Sequence, residues 1–222
     1  MLSPPSIPEA EPWIKTFMLE KEKEVTGIYI TGHPLDDYKM ELENYTNCNL
    51  TQAAGSVGIE IKAAGIVSKA MHGVSQKNGL GYARITLQDY TGSFEMGLYN
   101  EDYEKYKNLL TEGQVLFING QFKNYHKSDK TFFKLFDIRL LASVSEDLTK
   151  FLTLRIPLEK IDNEFVENLK KICKNYEGDH TLKMKVLNEE FNMDFSVSNM
   201  KIDVCSGLIE DIRAMGLSYK LN

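Results

Sequence analysis

Residues 80–100 read Leu80-Gly81-Tyr82-Ala83-Arg84-Ile85-Thr86-Leu87-Gln88-Asp89-Tyr90-Thr91-Gly92-Ser93-Phe94-Glu95-Met96-Gly97-Leu98-Tyr99-Asn100. Two alternations run through them. Ala83, Ile85 and Leu87 interleave with Tyr82, Arg84, Thr86 and Gln88; Phe94, Met96 and Leu98 then interleave with Glu95, Gly97 and Tyr99. A period of two belongs to a strand that buries one face, so the apolar set points to a core and the other set to solvent. The cluster around Asp89-Tyr90-Thr91-Gly92 separates the two runs with turn-forming residues.

On either side the same character continues from 57 to 142. The pattern predicts strands at 59–71, 80–90, 93–100, 114–125 and 131–142. One helix interrupts them at 101–110, where Tyr103, Tyr106, Leu109 and Leu110 fall at helical spacing, with Asn100 as its N-cap and Gly113 just past its end. Five strands with a single helix between the third and fourth is the element order of an OB-fold barrel, whose outer face and end loops bind single-stranded nucleic acid or other partners.

The flanks read differently. Four prolines in the first twelve residues suit a linker, and 13–25 suits an amphipathic helix closed by Gly27. A second helix opens at Pro34 after Gly32-His33. Beyond a charged connector, 151–157 reads as a strand, 162–176 as a helix ended by Gly178, 181–187 and 190–197 as a hairpin through Asn188, 204–215 as a helix and 218–221 as a last strand. The predicted organisation is therefore a leader and helical connector (1–56), an OB-fold (57–145) and a small α+β domain of β-α-β-β-α-β order (146–222).

Composition limits the function. The chain has 222 residues, 42% hydrophobic and 26% charged, so it can bury a core and is neither disordered nor low-complexity. No apolar run approaches bilayer length and the N-terminus lacks a basic, then apolar leader, which predicts a cytoplasmic protein. Cys48, Cys173 and Cys205 form no CxxC pair and His33, His72, His126 and His180 no metal-binding spacing, so neither a disulfide framework, a metal nor any other cofactor is expected. His33 has no accompanying nucleophile, and Gly-His-Pro has a simpler use as a bend into a helix. The net charge of −6 is uneven: residues 60–142 hold 11 basic and 9 acidic residues and are the only net-positive segment, whereas 151–222 hold 10 and 12. A surplus this small predicts weak, salt-sensitive nucleic-acid binding.

The stretch Glu20-Lys21-Glu22-Lys23-Glu24-Val25-Thr26-Gly27-Ile28-Tyr29-Ile30-Thr31-Gly32-His33-Pro34-Leu35-Asp36-Asp37-Tyr38 resembles the segment preceding the OB domain of bacterial DNA polymerase III alpha subunits, whose signature there is E-K-E-x-x-G-x-Y-x-[ST]-G-H-P-L. The family's A-G-x-V, L-x-D-x-[ST]-G and Gly-Gln turn follow as Ala64-Gly65-Ile66-Val67, Leu87-Gln88-Asp89-Tyr90-Thr91-Gly92 and Gly120-Gln121. The first two of these elements alone are weak, since anticodon-binding OB domains share the A-G-x-V and L-x-D-x-[ST]-G patterns. The resemblance implies a non-catalytic part of a DNA-directed DNA polymerase, a nucleotidyltransferase. It implies single-stranded template DNA on the OB-fold and the tau subunit of the clamp loader on the C-terminal domain. A polymerase's metal-binding Asp pair, phosphoesterase-like domain, fingers and thumb are not in this chain, so it should not polymerise by itself. The family's clamp-binding Q-x-x-[LM]-F pentapeptide has no counterpart in residues 1–13, so sliding-clamp contact is expected only through an upstream motif. A stand-alone RNA- or tRNA-binding OB protein is the rival reading; a metal-independent hydrolase is a weaker one, with no acid, base and nucleophile cluster to support it.

Candidate nucleic-acid contacts are Tyr82, Arg84 and Tyr99 on the outer face, where an aromatic stacks on a base and Arg pairs with phosphate. Lys69 and Lys77 join them from the first loop, and Lys123, Lys127 and Lys130 from the last. An ordinary solvated sheet face, with lysines serving solubility, competes with that reading. For the protein partner the candidates are Leu208, Ile212, Met215, Leu217, Tyr219 and Leu221, which a core helix and strand explain equally well.

Overall fold

A computed structural model of the chain describes residues 13, 15–53, 56–124, 131–188 and 192–222. The chain divides into two compact units, Met1–Asp37 and Tyr38–Asn222. The first contains helix α1 (Lys15–Thr26), ended by Gly27, whose φ of +82° places it in the left-handed region and whose N–H donates to the Lys23 carbonyl. The signature residues then fasten the chain that follows. The Glu22 carboxylate accepts from the Ile30 and Thr31 amides and from the Thr31 hydroxyl. Those bonds, the Thr31 amide foremost, hold its pKa below the ordinary value. His33 Nδ1 accepts from the Leu35 amide and Asp36 Oδ2 from the His33 amide, so Gly-His-Pro is a fixed bend into the 3-10 turn Pro34–Tyr38.

The second unit begins with two short helices, α2 (Lys39–Tyr45) and α3 (Leu50–Ala53), and then builds an antiparallel sheet from β1 (Glu60–Val74), β2 (Gly81–Gln88), β3 (Ser93–Tyr99), β4 (Val115–Asn124) and β5 (Thr131–Leu140). The strand order is β3-β2-β1-β4-β5, which makes β3 and β5 the two edges. Yet the Phe94 ring on β3 meets Phe122 of β4 and Phe133 of β5, with centroids 5.8 and 5.4 Å away. Rings from opposite edges can touch only if the sheet curls on itself, so the sheet forms an OB-fold; among the described residues no ladder closes β3 onto β5. Ile61, Ile85, Leu87, Leu98, Leu116 and Ile118 fill its interior, as the period-two reading requires.

Three local expectations fail here. Helix α4 (Asn100–Tyr106) is shorter than predicted, passing into a 3-10 turn at Lys107, and Asn100 is no cap. It is the first helical residue, with φ +52°, and the cap position falls to Tyr99, which gives no side-chain bond. Gly120-Gln121 is not a turn but the middle of β4, where the register to β5 shifts at Asn119/Gly120; a Cβ at Gly120 would lie 2.3 Å from the Phe133 ring.

After α5 (Val144–Leu148) a second sheet forms from β6 (Phe151–Pro157), β7 (Glu177–Leu187), β8 (Asn192–Ile202) and β9 (Ser218–Leu221), in the order β8-β7-β6-β9. Helices α6 (Asn163–Asn175) and α7 (Ser206–Ala214) supply Leu169, Leu208 and Ile212 to the core on one face of it. The β-α-β-β-α-β order is as read, but Gly178 does not stop α6: β7 begins at Glu177, and Gly178 lies against the Asp203 backbone inside it. Met40 and Tyr45 of α2 belong to this second core, while Leu50 and Ala53 of α3 belong to the first. The stretch expected as a connector thus completes both cores.

Candidate nucleic-acid interface

The ladders among β1, β2 and β3 fix a grid on the outer face of the OB sheet. Gly73, Tyr82 and Tyr99 form one row; Met71, Arg84 and Gly97 the next; Lys69, Thr86 and Glu95 a third. A one-residue irregularity between Val67 and Lys69 turns the second half of β1 so that Lys69 and Met71 join this face. Farther along the sheet, Ala64, Ile66 and Phe117 lie outside the barrel's interior cluster and are nevertheless buried. The open part of the outer face is therefore the part that carries the predicted side chains.

The two tyrosines form a platform. Their rings stack at 6.1 Å with 25° between planes. Each lies over a glycine: a Cβ on Gly73 would come 2.7 Å from the Tyr82 ring, and one on Gly97 would come 2.7 Å from the Tyr99 hydroxyl. Glycine at those two points lets the rings lie down on the sheet, where larger side chains would prop them up. Below the platform, Lys69, Arg84, Thr86 and Glu95 line an open depression of about 340 Å³ together with Met71 and Tyr99. The side chains of Arg84, Lys69 and Glu95 make no hydrogen bond or ion pair among the described residues. A shallow trough with a flat aromatic floor and unpaired cations suits an extended strand better than an enclosed small molecule.

Of the other sequence candidates, Lys77 is exposed in the β1–β2 turn and Lys123 is exposed near the end of β4. Lys127 and Lys130 lie outside the described residues. His72, on the flank of the same loop, is engaged structurally: its Nε2 is 2.9 Å from the Leu110 carbonyl and its Nδ1 faces the Tyr103 hydroxyl. Sequence reasoning missed Met71, Gly73 and Glu95 as parts of the site, because only the β1–β2 and β2–β3 registers bring them beside Arg84; Gly73 and Gly97 in strands otherwise rich in large residues were the available signal.

The partner-binding candidates need correction. Leu208, Ile212, Leu217 and Leu221 are buried in the second core and offer no surface. Met215 and Tyr219 are half-buried against it, and the Tyr219 hydroxyl takes hydrogen bonds from Asn44 Nδ2 and an Arg213 guanidinium that also pairs with Glu43 at 2.6 Å. The apolar spacing at 208–217 is the inner stripe of α7 and of the chain leaving it.

By its sheet the first module is an OB-fold, and residues 61–142 match the family described as an OB-fold nucleic acid binding domain. Residues 152–222 match the C-terminal domain family of the DNA polymerase III alpha subunit. DNA polymerase III subunit alpha of Vibrio cholerae is 32% identical over 163 residues, covering 72% of this chain and 14% of that protein. Its counterpart in Escherichia coli K12 is 27% identical over 168 residues (75% and 14%), and that of Bacillus subtilis 26% over 162 (73% and 14%). The chain is thus homologous to the C-terminal region of DNA polymerase III alpha subunits, and it spans about a seventh of the length of these curated relatives. Among solved structures, an asparaginyl-tRNA synthetase of Entamoeba histolytica aligns with 43% of this chain and 23% of its own at 14% identity, with a TM-score of 0.32. Among the described residues no helix is long and apolar enough to cross a membrane.

Proposed function

We propose that this chain is the template-handling and tethering end of a cytoplasmic bacterial replicative DNA polymerase. The OB face holds single-stranded DNA, and the C-terminal domain docks the tau subunit of the clamp loader. Nucleotidyl transfer belongs to the remainder of such a polymerase, and this part needs no cofactor. The observation that carries the reading is the Tyr82–Tyr99 platform with Arg84 and Lys69 beside it. Bases stack on the rings irrespective of sequence, and the cations take phosphates. Homology to the C-terminal domain of the alpha subunits supports the tau assignment; with the leucines of α7 and β9 buried, the surface left for docking there includes the open edge of β9.

Fluorescence anisotropy with a labelled oligothymidylate at low salt tests the DNA half. Replacing Tyr82 and Tyr99 by alanine should weaken binding at least tenfold, given ~1 to 3 kcal/mol per stacked base. Unchanged affinity would remove the site from this face. A matched oligouridylate bound more tightly through its 2′-hydroxyls would favour the RNA-binding alternative instead.

A further inference from the structure

Among the described residues of its own unit, the second sheet has a face on which no helix packs. Along β6 and β7, Leu152, Leu154, Ile156 and Leu182 go to the core with α6 and α7. The alternate residues go the other way, and the ladders line up their charges. Arg155 stands between Lys185 and Ser218, Thr153 between Lys183 and Lys220, and Thr181 beside Lys201. Five of the ten basic residues in 151–222 are therefore gathered on one side of one sheet. The described acidic residues of this segment lie mostly elsewhere: on α6, α7 and in turns, or, as Glu177 and Asp179, at the start of β7 where its register to β8 is broken. Asp194 is the one acid in these rows among the described residues, 3.9 Å from Lys185. The segment's net charge conceals a basic face.

The chemistry of that face selects its ligand. Arg155, Lys201 and Lys220 are exposed, and their side chains make no hydrogen bond or ion pair among the described residues. Lys183 is held flat with its Nζ 3.3 Å from the Phe151 ring centroid. Hydroxyl groups of Thr153, Thr181 and Ser218 lie between the cations, and among the described residues no large apolar side chain on the face is exposed, Phe151 being half-buried. A protein partner would need apolar or aromatic anchors at the centre of its footprint. A flat field of cations and hydroxyls instead matches a regular polyanion that is gripped through its phosphates. We propose that the open face of β6–β9 binds the phosphate backbone of a nucleic-acid strand through Arg155, Lys183, Lys185, Lys201 and Lys220, without reading bases. This site is separate from the OB trough and does not depend on it.

Counterion release makes the test quantitative. Each phosphate contact to a single strand contributes about 0.7 to the slope of log K against log salt. The full chain carrying Arg155→Gln, Lys201→Gln and Lys220→Gln should bind a labelled oligothymidylate with a slope shallower by about 2. A chain carrying Lys201→Gln alone should lose about a third of that, and the Arg155→Lys, Lys201→Arg, Lys220→Arg chain should keep the parent slope. Circular dichroism melting checks that the variants fold alike, and the single substitution carries the test should the triple variant not fold. Repeating the series in a Tyr82→Ala, Tyr99→Ala background separates the two sites, because the slope change must persist there. A parent-like slope in both Gln variants overturns the proposal. So does polyglutamate competing as well as DNA at equal charge and showing the same loss in the Gln variants, which would make the ligand an acidic protein segment.

Discussion

Four donors converge on the Asp89 carboxylate: the amides of Leu50, Thr91 and Gly92 and the Thr91 hydroxyl, all within 2.7 to 3.0 Å. The L-x-D-x-[ST]-G spacing is thereby a turn lock that also ties α3 to the barrel, a folding role that requires no ligand. Glu41 on α2 is the opposite case. It is almost fully buried, its Oε2 has no hydrogen-bond partner among the described residues, and burial pushes its carboxyl pKa up. A carboxyl whose folded pKa lies above its unfolded value holds its proton more tightly when folded. Its contribution is then most favourable below the unfolded pKa and is lost as pH rises through the folded one. Glu41→Gln should accordingly raise the melting temperature at pH 7, with the gain shrinking as pH falls through the glutamate range. An equal gain at pH 3 and pH 7 would assign the effect to packing rather than to charge.

At the scale of the element, strands were legible and registers were not. The alternation at 82–88 and 94–99 assigned every side chain there to its face, because each strand packs one side on a core. Which strand stands beside which, and in what register, depends on contacts far apart in sequence. The same holds for the face that lies open: Ala64 and Phe117 alternate as outward residues would, yet are buried. Apolar periodicity on α7 likewise shows that one stripe is covered, not what covers it, which is why core leucines passed as docking anchors. Charge summed over 151–222 averaged away a segregation that only strand pairing creates. The β2–β3 register also makes Gly97 testable. Its Cβ would collide with the Tyr99 hydroxyl and ring at 2.7 to 2.9 Å, while the strand backbone itself tolerates alanine. Gly97→Ala should displace Tyr99 from its stack with Tyr82 and weaken oligothymidylate binding by an amount on the order of 1 kcal/mol, with little loss of stability. Parent-level affinity with an altered near-UV spectrum would show that the stacked pair is not the DNA platform.

For the whole molecule, the decisive feature is that the C-terminal domain is not assembled from the C-terminal sequence alone. Met40 is 4% exposed and sits in the core formed by β6, β7, β9, α6 and α7, with Tyr45 packed beside it and its hydroxyl bonded to that of Thr149. At the other end, β9 pairs with β6, Leu221 enters the same core, and the Asn222 side chain accepts from the Lys150 amide while donating to the Leu148 carbonyl. Removing residues 218–222 therefore does not trim a free docking strand; it opens the core, and a loss of partner binding in that truncation would report unfolding. The better experiment cuts at the front. A fragment of 151–222 lacks the α2 side chains that close its core, and truncating a buried Met typically costs about 2 to 5 kcal/mol. The fragment should unfold at lower urea than the same strands do in the 38–222 chain, by a difference of at least about 2 kcal/mol, and Met40→Ala in the longer chain should reproduce most of that loss. Hydrogen exchange at the β6 amides reads the two cases on one scale. Equal protection of β6 in the fragment and in 38–222 would show that the second core closes without α2.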